Sequence, residues 1–332
     1  MSTRIPSFAL LAVVAVAALA PPALAAPMYA WRVSEEGAST LDDRIAPPSG
    51  FERTPTEPGS WGEWLRGLRM KPEGSPVLTY TGAPKWRQDV HVAVVDIDVG
   101  KRDLQQCADA IMRLRAEWLF ASRRSADIAF NYTDGGRVPF SRWAKGERPS
   151  SSGKSWKASA KADGTYLSFR RYMDQVFSYA GTYSLDRELK KAPTASIAIG
   201  DVFIKGGFPG HAVLVADMAE NKSTGEKRFL LLQSYMPAQE IHVLKNPAAG
   251  DASPWYSAAV AWPLATPEWS FPEGSLKRWP RTAPRSKPRM TCWPKHSRSR
   301  RRPLHARCDP QCLRCNRRGW RAGFAAVRGL RR

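Results

Sequence analysis

Three side chains in this sequence have the types and the order that thiol chemistry requires. A nucleophilic cysteine works best at a helix N-terminus, with a histidine base in hydrogen-bond reach and a polar group that orients the imidazole. Cys107 lies in the first turn of a helical pattern, His211 begins an apolar run in PGHAV, and Gln233 ends the next apolar run. We predict that Cys107 is the nucleophile, that His211 is the base and that Gln233 orients the imidazole.

The segment KRDLQQCADAIMRLRAEWLFAS predicts the helix that would carry the cysteine. Apolar residues recur every three or four positions from Leu104 to Leu119, which is the period of an α-helix. Asp103 is the expected N-cap. Backbone N–H groups at the helix start, together with Gln106, would hold the oxyanion of an acyl-transfer reaction.

Three apolar segments, GDVFIKG, HAVLVAD and RFLLLQSYM, predict the strands that would carry the histidine and the glutamine. The connections between them are short, so we expect an antiparallel meander in which Gln233 lies beside His211. A helix followed by such a meander is typical of an α+β domain.

Other roles for these residues stay open from the sequence. Free cysteines are often buried and inert, and His211 would then be a core histidine whose nitrogens are hydrogen-bonded. His91, His242 or Asn221 would take the place of Gln233 if the strand order differed.

The sequence predicts no cofactor and no metal site. Asp96, Asp98 and Asp103 cluster at a strand end and could hold a hard cation, but an acidic loop or helix cap is the commoner origin of such a cluster. The cysteines in CDPQCLRC, near the C-terminus, are spaced irregularly and lack a second pair at the distance that structural zinc sites use.

Composition divides the 332 residues into three parts. Residues 1–25 combine Arg4, an apolar stretch and a small-residue ALA site, which together indicate a secretory signal peptide. Residues 26–280 are long enough for one sizeable core and are expected to form a single domain. Residues 281–332 are rich in Arg, Pro and Cys and show no sustained apolar period, which predicts a disordered tail.

The net charge of +21 arises mostly in that tail, which holds 17 Lys and Arg residues and a single acid, Asp309. Because the signal peptide directs the protein out of the cytoplasm, the basic tail does not predict a nucleic-acid partner. No later stretch approaches the roughly 18 apolar residues of a membrane span. We therefore expect a periplasmic or secreted protein without a transmembrane segment.

The order of cysteine helix, Gly-Asp strand, histidine strand and polar residue resembles the papain-like, NlpC-type amidases and peptidases of bacterial cell walls. GDVFIKGGFPGHAVLVAD matches the middle of that pattern, although Gln106 and Ala108 replace the residues that usually flank the cysteine there. A closer resemblance covers nearly all of 51–279 and is to an uncharacterised exported bacterial family, the domain of unknown function 4846. The segments that carry it include DLQQCADAIMRLRAEWL, YAGTYSL and QSYMPAQEIHVLKNP.

The NlpC-type resemblance implies a papain-like fold in which one central helix packs on an antiparallel sheet. It also implies a thiol hydrolase, an amidase or peptidase that acts on cell-wall peptides or another envelope ligand. The alternative is a non-catalytic periplasmic domain with a binding or structural role and an inert buried cysteine.

Overall fold

The fold is described for residues 29–31, 39–250 and 253–280, in a computed structural model. The predicted signal peptide at 1–25 and the predicted tail at 281–332 lie outside these residues. The α-helices within them are α1 (Leu41–Arg44), α2 (Trp61–Arg66), α3 (Cys107–Ala121), α4 (Phe140–Trp143), α5 (Tyr166–Tyr179) and α6 (Thr182–Glu188). The strands are β1 (Glu52–Arg53), β2 (His91–Val94), β3 (Ala129–Asn131), β4 (Arg137–Pro139), β5 (Glu147–Pro149), β6 (Trp156–Ala158), β7 (Lys190–Lys191), β8 (Val202–Lys205), β9 (His211–Glu220), β10 (Lys227–Gln233), β11 (His242–Leu244), β12 (Tyr256–Ser257), β13 (Leu264–Ala265), β14 (Ser270–Phe271) and β15 (Leu276–Arg278).

Nine of these strands form one antiparallel sheet. Seven of them follow the order β2-β11-β10-β9-β8-β15-β7, while β1 pairs with β9 and β12 pairs with β10. The remaining described strands form three hairpins, β3–β4, β5–β6 and β13–β14.

Strand β9 lies in the middle of the sheet and is covered on both faces. Nine of its ten residues are buried, which explains why its sequence is almost continuously apolar rather than alternating. Ala212 and Leu214 pack in the cluster that includes the helices, whereas Val213 and Val215 pack in a second cluster on the opposite face. The sheet therefore separates two apolar layers.

Helix α3 belongs to the first layer and is buried on nearly every side. All of its residues except Phe120 are buried, so it is an interior helix rather than an amphipathic surface helix. Its charged residues need partners inside the protein for the same reason. Nε of Arg113 lies 2.6 Å from Oε1 of Glu117, and neither side chain is exposed.

The predicted helix and the predicted meander are both present. Strands β8, β9 and β10 are antiparallel neighbours in chain order, and Leu214 of β9 pairs with Val202 on one side and Leu232 on the other. Short apolar segments with short connections between them were sufficient to predict this part of the sheet.

The expected papain-like architecture, with one central helix packed on a sheet, is wrong. The described residues are built mainly on the nine-stranded antiparallel sheet, and their helices are few and short. Four strands that extend the sheet, β7, β11, β12 and β15, contain only two or three residues. Such short strands form through tertiary pairing and leave no periodic signal in the sequence.

The start of α3 also differs from the prediction. Gln106, not Asp103, is the N-cap, so Cys107 is the first residue of the helix. Within the described ranges, no helix combines the length and the apolar composition that a bilayer crossing needs.

Candidate functional site

Cys107 is held at the start of α3 by a short polar network. The backbone N–H of Gln106 donates to Oδ2 of Asp109 over 3.2 Å, and the Gln106 side-chain amide donates to Oδ1 of Asp103 over 3.0 Å. The same Asp103 oxygen accepts the backbone N–H of Ala238 over 2.7 Å. Asp103 therefore ties the residue before the cysteine to the loop that follows β10.

The cysteine lines a cavity of about 210 Å³, which we call the thiol cavity. Its walls are the first turns of α3 and α6, the loop 207–210 and the side chain of Met236. Two large apolar side chains at its wall are open to solvent, Phe208 at 84% exposed and Met236 at 55%. The cavity therefore offers an apolar rim around a largely buried thiol.

Cys107 is only 8% exposed. Burial, and to a lesser extent the neighbouring Asp109 carboxylate, raise its pKa to about 12. Backbone N–H groups, including that of Ala212, donate toward the sulfur and oppose this rise. The sulfur therefore lies against the backbone of the residue that follows His211.

Asp109 is a further polar group of this cavity. Its side chain is buried, and burial raises the pKa of the carboxyl well above its usual range. Oδ1 is buried and has no hydrogen-bond partner among the described residues. Asp109 was not predicted from the sequence, since an acid in the first turn of a helix usually stabilises the helix N-terminus.

His211 is the first residue of β9, and the glycine before it allows a tight approach. A Cβ at Gly210 would lie 2.7 Å from the carbonyl oxygens of Lys205 and Gly207, so only glycine fits there. The imidazole packs against the rings of Tyr235, Trp269 and Phe271. Burial among them is the main reason that the pKa of His211 is lowered to about 4.

Gln233 contacts His211 as predicted from the order of the strands. Nε2 of His211 lies 2.9 Å from Oε1 of Gln233, because both residues lie at the same end of the antiparallel pair β9–β10. Two of the residues considered as alternatives to Gln233 lie elsewhere. Nε2 of His242 lies 3.5 Å from Nε2 of Gln233, and the side chain of Asn221 accepts backbone N–H groups in the β9–β10 turn. The catalytic roles of the residues remain predictions.

A buried ion pair fixes the orientation of the Gln233 amide. Its Nε2 donates to Oε2 of Glu268 over 2.7 Å, and Nζ of Lys85 lies 2.6 Å from the same oxygen. A carboxylate can only accept, so the amide oxygen must face His211. The imidazole then donates from Nε2, and its acceptor lone pair is on Nδ1.

Gln106, the predicted oxyanion residue, is half-buried at the wall of the thiol cavity. Its side-chain amide is already hydrogen-bonded to Asp103. The backbone N–H groups of Cys107, Ala108 and Ala212 are the donors that point toward the sulfur.

Asp98 and Asp103, two members of the predicted acidic cluster, have partners that account for them. Asp98 lies 3.1 Å from both Arg113 and Arg170, and Asp103 accepts the two hydrogen bonds described above. Within the described residues, no group of His, Cys, Asp and Glu side chains could hold a metal ion.

The family of the chain follows from its sequence over the region that contains this site. The model of the family described as "Domain of unknown function (4846)" matches residues 41–278. The chain belongs to this family. No curated protein and no solved structure matches the chain. The resemblance to NlpC-type enzymes has no support from these comparisons.

Proposed function

We propose that this protein hydrolyses an amide bond by thiol chemistry, with Cys107 as nucleophile, His211 as base and Gln233 orienting the imidazole. The observation that carries the proposal is that the start of α3 lies against the backbone at the start of β9. The first residue of α3 directs its sulfur at the backbone of Ala212, next to the first residue of β9. The amide of Gln233 leaves Nδ1 of His211 as the proton acceptor.

In the proposed reaction, Sγ of Cys107 bonds to the amide carbon while its proton passes to Nδ1 of His211. The carbonyl oxygen takes the π electron pair and is stabilised by backbone N–H groups at the start of α3. Collapse of this oxyanion breaks the C–N bond, and the imidazolium returns its proton to the leaving nitrogen. Water then cleaves the thioester with His211 again as base, which releases a carboxylic acid and restores the thiol.

The pKa values favour a neutral resting pair. A thiol pKa of about 12 and an imidazole pKa of about 4 keep both groups uncharged near pH 7. Proton transfer would therefore accompany attack on the substrate, as in general-base catalysis, rather than precede it.

The expected substrate is a peptide of the cell envelope with an apolar group beside the scissile amide. The exposed side chains of Phe208 and Met236 at the cavity wall support the apolar group. The envelope location rests on the signal peptide predicted at 1–25, and we propose a periplasmic or secreted site of action on that ground.

One observation favours a second function, that of a non-catalytic domain that binds an envelope ligand. Phe271, which packs against His211, belongs to the apolar layer on the far side of the sheet from α3. An imidazole held in that layer and a thiol with a pKa of about 12 would also suit a core histidine and an inert cysteine.

Alkylation of the native full-length protein by iodoacetamide between pH 5 and pH 10 separates the two functions. Because four more cysteines lie at 292, 308, 312 and 315, labelling is quantified by mass spectrometry on the peptide that contains Cys107. If His211 is the base, Cys107 reacts at neutral pH and the rate falls about 100-fold in His211→Ala, the lower range of general-base effects.

The matched control is His91→Ala, which removes a half-buried histidine that does not contact Gln233. It should label like the wild type. Labelling of Cys107 that begins only on unfolding, or equal rates in the wild type and His211→Ala, would remove the catalytic proposal and leave the binding domain.

A further inference from the structure

A second cavity, of about 320 Å³, lies farther along α3, and we call it the arginine cavity. Arg115 and Leu119 of α3 line it together with the C-terminal end of α6, and Trp279 closes another side. Arg115 is two helical turns beyond Cys107, which corresponds to about 12 Å along the axis of α3. The thiol chemistry proposed above makes no use of this cavity.

Arg115 is a buried cation that lacks an acceptor. Its side chain is 9% exposed, and its guanidinium carbon lies 4.4 Å from the ring centre of Trp118, 5.4 Å from that of Trp61 and 5.7 Å from that of Trp279. Across 29–31, 39–250 and 253–280, no side chain or carbonyl forms a hydrogen bond or ion pair with it. Aromatic faces stabilise a cation but satisfy none of the five N–H donors of a guanidinium.

Trp279 brings a second donor without an acceptor to the same cavity. Its Nε1 is buried and has no hydrogen-bond partner in the described part of the chain. A buried donor without an acceptor costs roughly 1–3 kcal/mol, and more when the group is charged. An indole N–H without a partner and a guanidinium without a protein acceptor, both on residues that line one cavity, therefore indicate a ligand that brings acceptor oxygens.

The other charges at the cavity agree with an anionic ligand. Arg137, Arg187 and Lys190 are exposed cations at its wall. The two acids there are engaged with other groups. Asp127 accepts from Nε of Arg124 over 2.9 Å. Glu188 accepts the backbone N–H of Asn131 over 3.1 Å and lies 3.5 Å from Arg137.

We propose that the arginine cavity binds a small oxyanion, a carboxylate or a phosphate group, through the Arg115 guanidinium and the indole N–H of Trp279. Burial lowers the pKa of Arg115 only to about 10, so the side chain is positive at neutral pH. Planar oxyanions match the fork of N–H donors on a guanidinium, and phosphate fits it as well. The exposed cations raise the local anion concentration at the entrance.

Isothermal titration calorimetry of the full-length protein tests this site, with inorganic phosphate in one arm and succinate in the other, at constant ionic strength. We expect saturable binding of one or both anions. Arg115→Met should weaken binding at least tenfold, and Trp279→Phe, which removes only the N–H donor, should weaken it about five-fold, as expected for one hydrogen bond. The arm with the tighter binding identifies the anion class.

Arg142→Met is the matched control, because Arg142 also stacks on a tryptophan, 4.5 Å from the ring centre of Trp156, but is paired with Glu147. It should bind like the wild type. Residues 281–332 are also basic, so the difference between variants is the measurement. If Arg115→Met does not fold, Trp279→Phe decides. No saturable binding in either arm, or wild-type affinity in Trp279→Phe, would overturn the proposal.

Discussion

The thiol cavity and the arginine cavity lie at opposite ends of one helix, α6, and they differ in the charge of the buried groups around them. Thr182, at the start of α6, lines the first, and Arg187 and Glu188, at its end, line the second. Around the first, burial shifts the pKa values of Cys107, Asp109 and His211 toward their uncharged forms.

Around the second cavity, Arg115 keeps its charge although it is buried, because a guanidinium does not lose its proton near neutral pH. Burial of a titratable group therefore has two outcomes in this fold. A group whose pKa lies within a few units of neutral pH is shifted toward its uncharged form, whereas arginine stays charged and needs an anion or an aromatic face.

The largest expected change in stability is that of a variant which tests whether this fold tolerates a buried cation without a carboxylate partner. Glu268→Gln leaves Lys85, whose side chain is 1% exposed, without its partner. We expect a loss of about 3–5 kcal/mol in the free energy of unfolding, the usual cost of breaking a buried pair. Urea denaturation measures it.

The control for Glu268→Gln is Lys222→Ala at the exposed Lys222–Glu220 pair, which should change stability by less than about 1 kcal/mol. A similarly small loss in Glu268→Gln would show that a buried cation is tolerated here, and it would weaken the argument for an anion beside Arg115.

A smaller change in stability is expected from Asp109→Asn, which tests whether the raised pKa of the Asp109 carboxyl affects stability. The folded-state pKa of Asp109 is raised. The stability linked to this group is therefore fully present below the unfolded pKa of about 3.9 and is lost as pH rises through the folded pKa. Asn cannot ionise and still accepts the N–H of Gln106, so the variant should gain roughly 1 kcal/mol near pH 8.

Unfolding curves of Asp109→Asn from pH 3 to pH 9 check this expectation, with Asp134→Asn, an exposed residue, as the control. Removal of the carboxylate charge should also lower the pKa of Cys107 and speed its alkylation above pH 8. A variant that is less stable than the wild type at high pH would contradict a raised pKa for the Asp109 carboxyl.

The smallest effect on stability is expected for Phe208→Ser, because the side chain is 84% exposed. The free energy of unfolding should change by less than about 0.5 kcal/mol. If Phe208 forms the apolar rim of the thiol cavity, the variant should lose any preference of Cys107 for N-benzyl iodoacetamide over iodoacetamide. An unchanged preference would place the apolar contact elsewhere, and Met236→Ser is the parallel variant.

Local patterns predicted the elements that carry Cys107, His211 and Gln233. The helical period gave α3, and short apolar segments gave β8 to β10 and hence the contact between His211 and Gln233. The sequence did not predict Lys85 and Glu268, because they contact each other across 183 residues of chain and only tertiary folding brings them together.

The remaining errors have the same origin. Arg115 was not selected, since charged residues in a helical pattern normally mark the solvent face, whereas α3 is buried nearly all round. The papain-like fold was inferred from a match that is close over only the segment around His211. The nine-stranded sheet depends on two- and three-residue strands that no local pattern reveals.

Glu268 and the hairpin β13–β14 have a consequence for the order of events during synthesis. The ribosome makes Cys107 and α3 well before it makes Glu268, Trp269 and Phe271, which hold Gln233 and enclose His211. Until that late segment docks, the imidazole has no fixed tautomer and the end of β9 has no cover. In the thiol chemistry proposed above, Cys107 would therefore acquire an oriented base only after nearly the whole domain has been synthesised, which would protect a nascent chain from premature reaction.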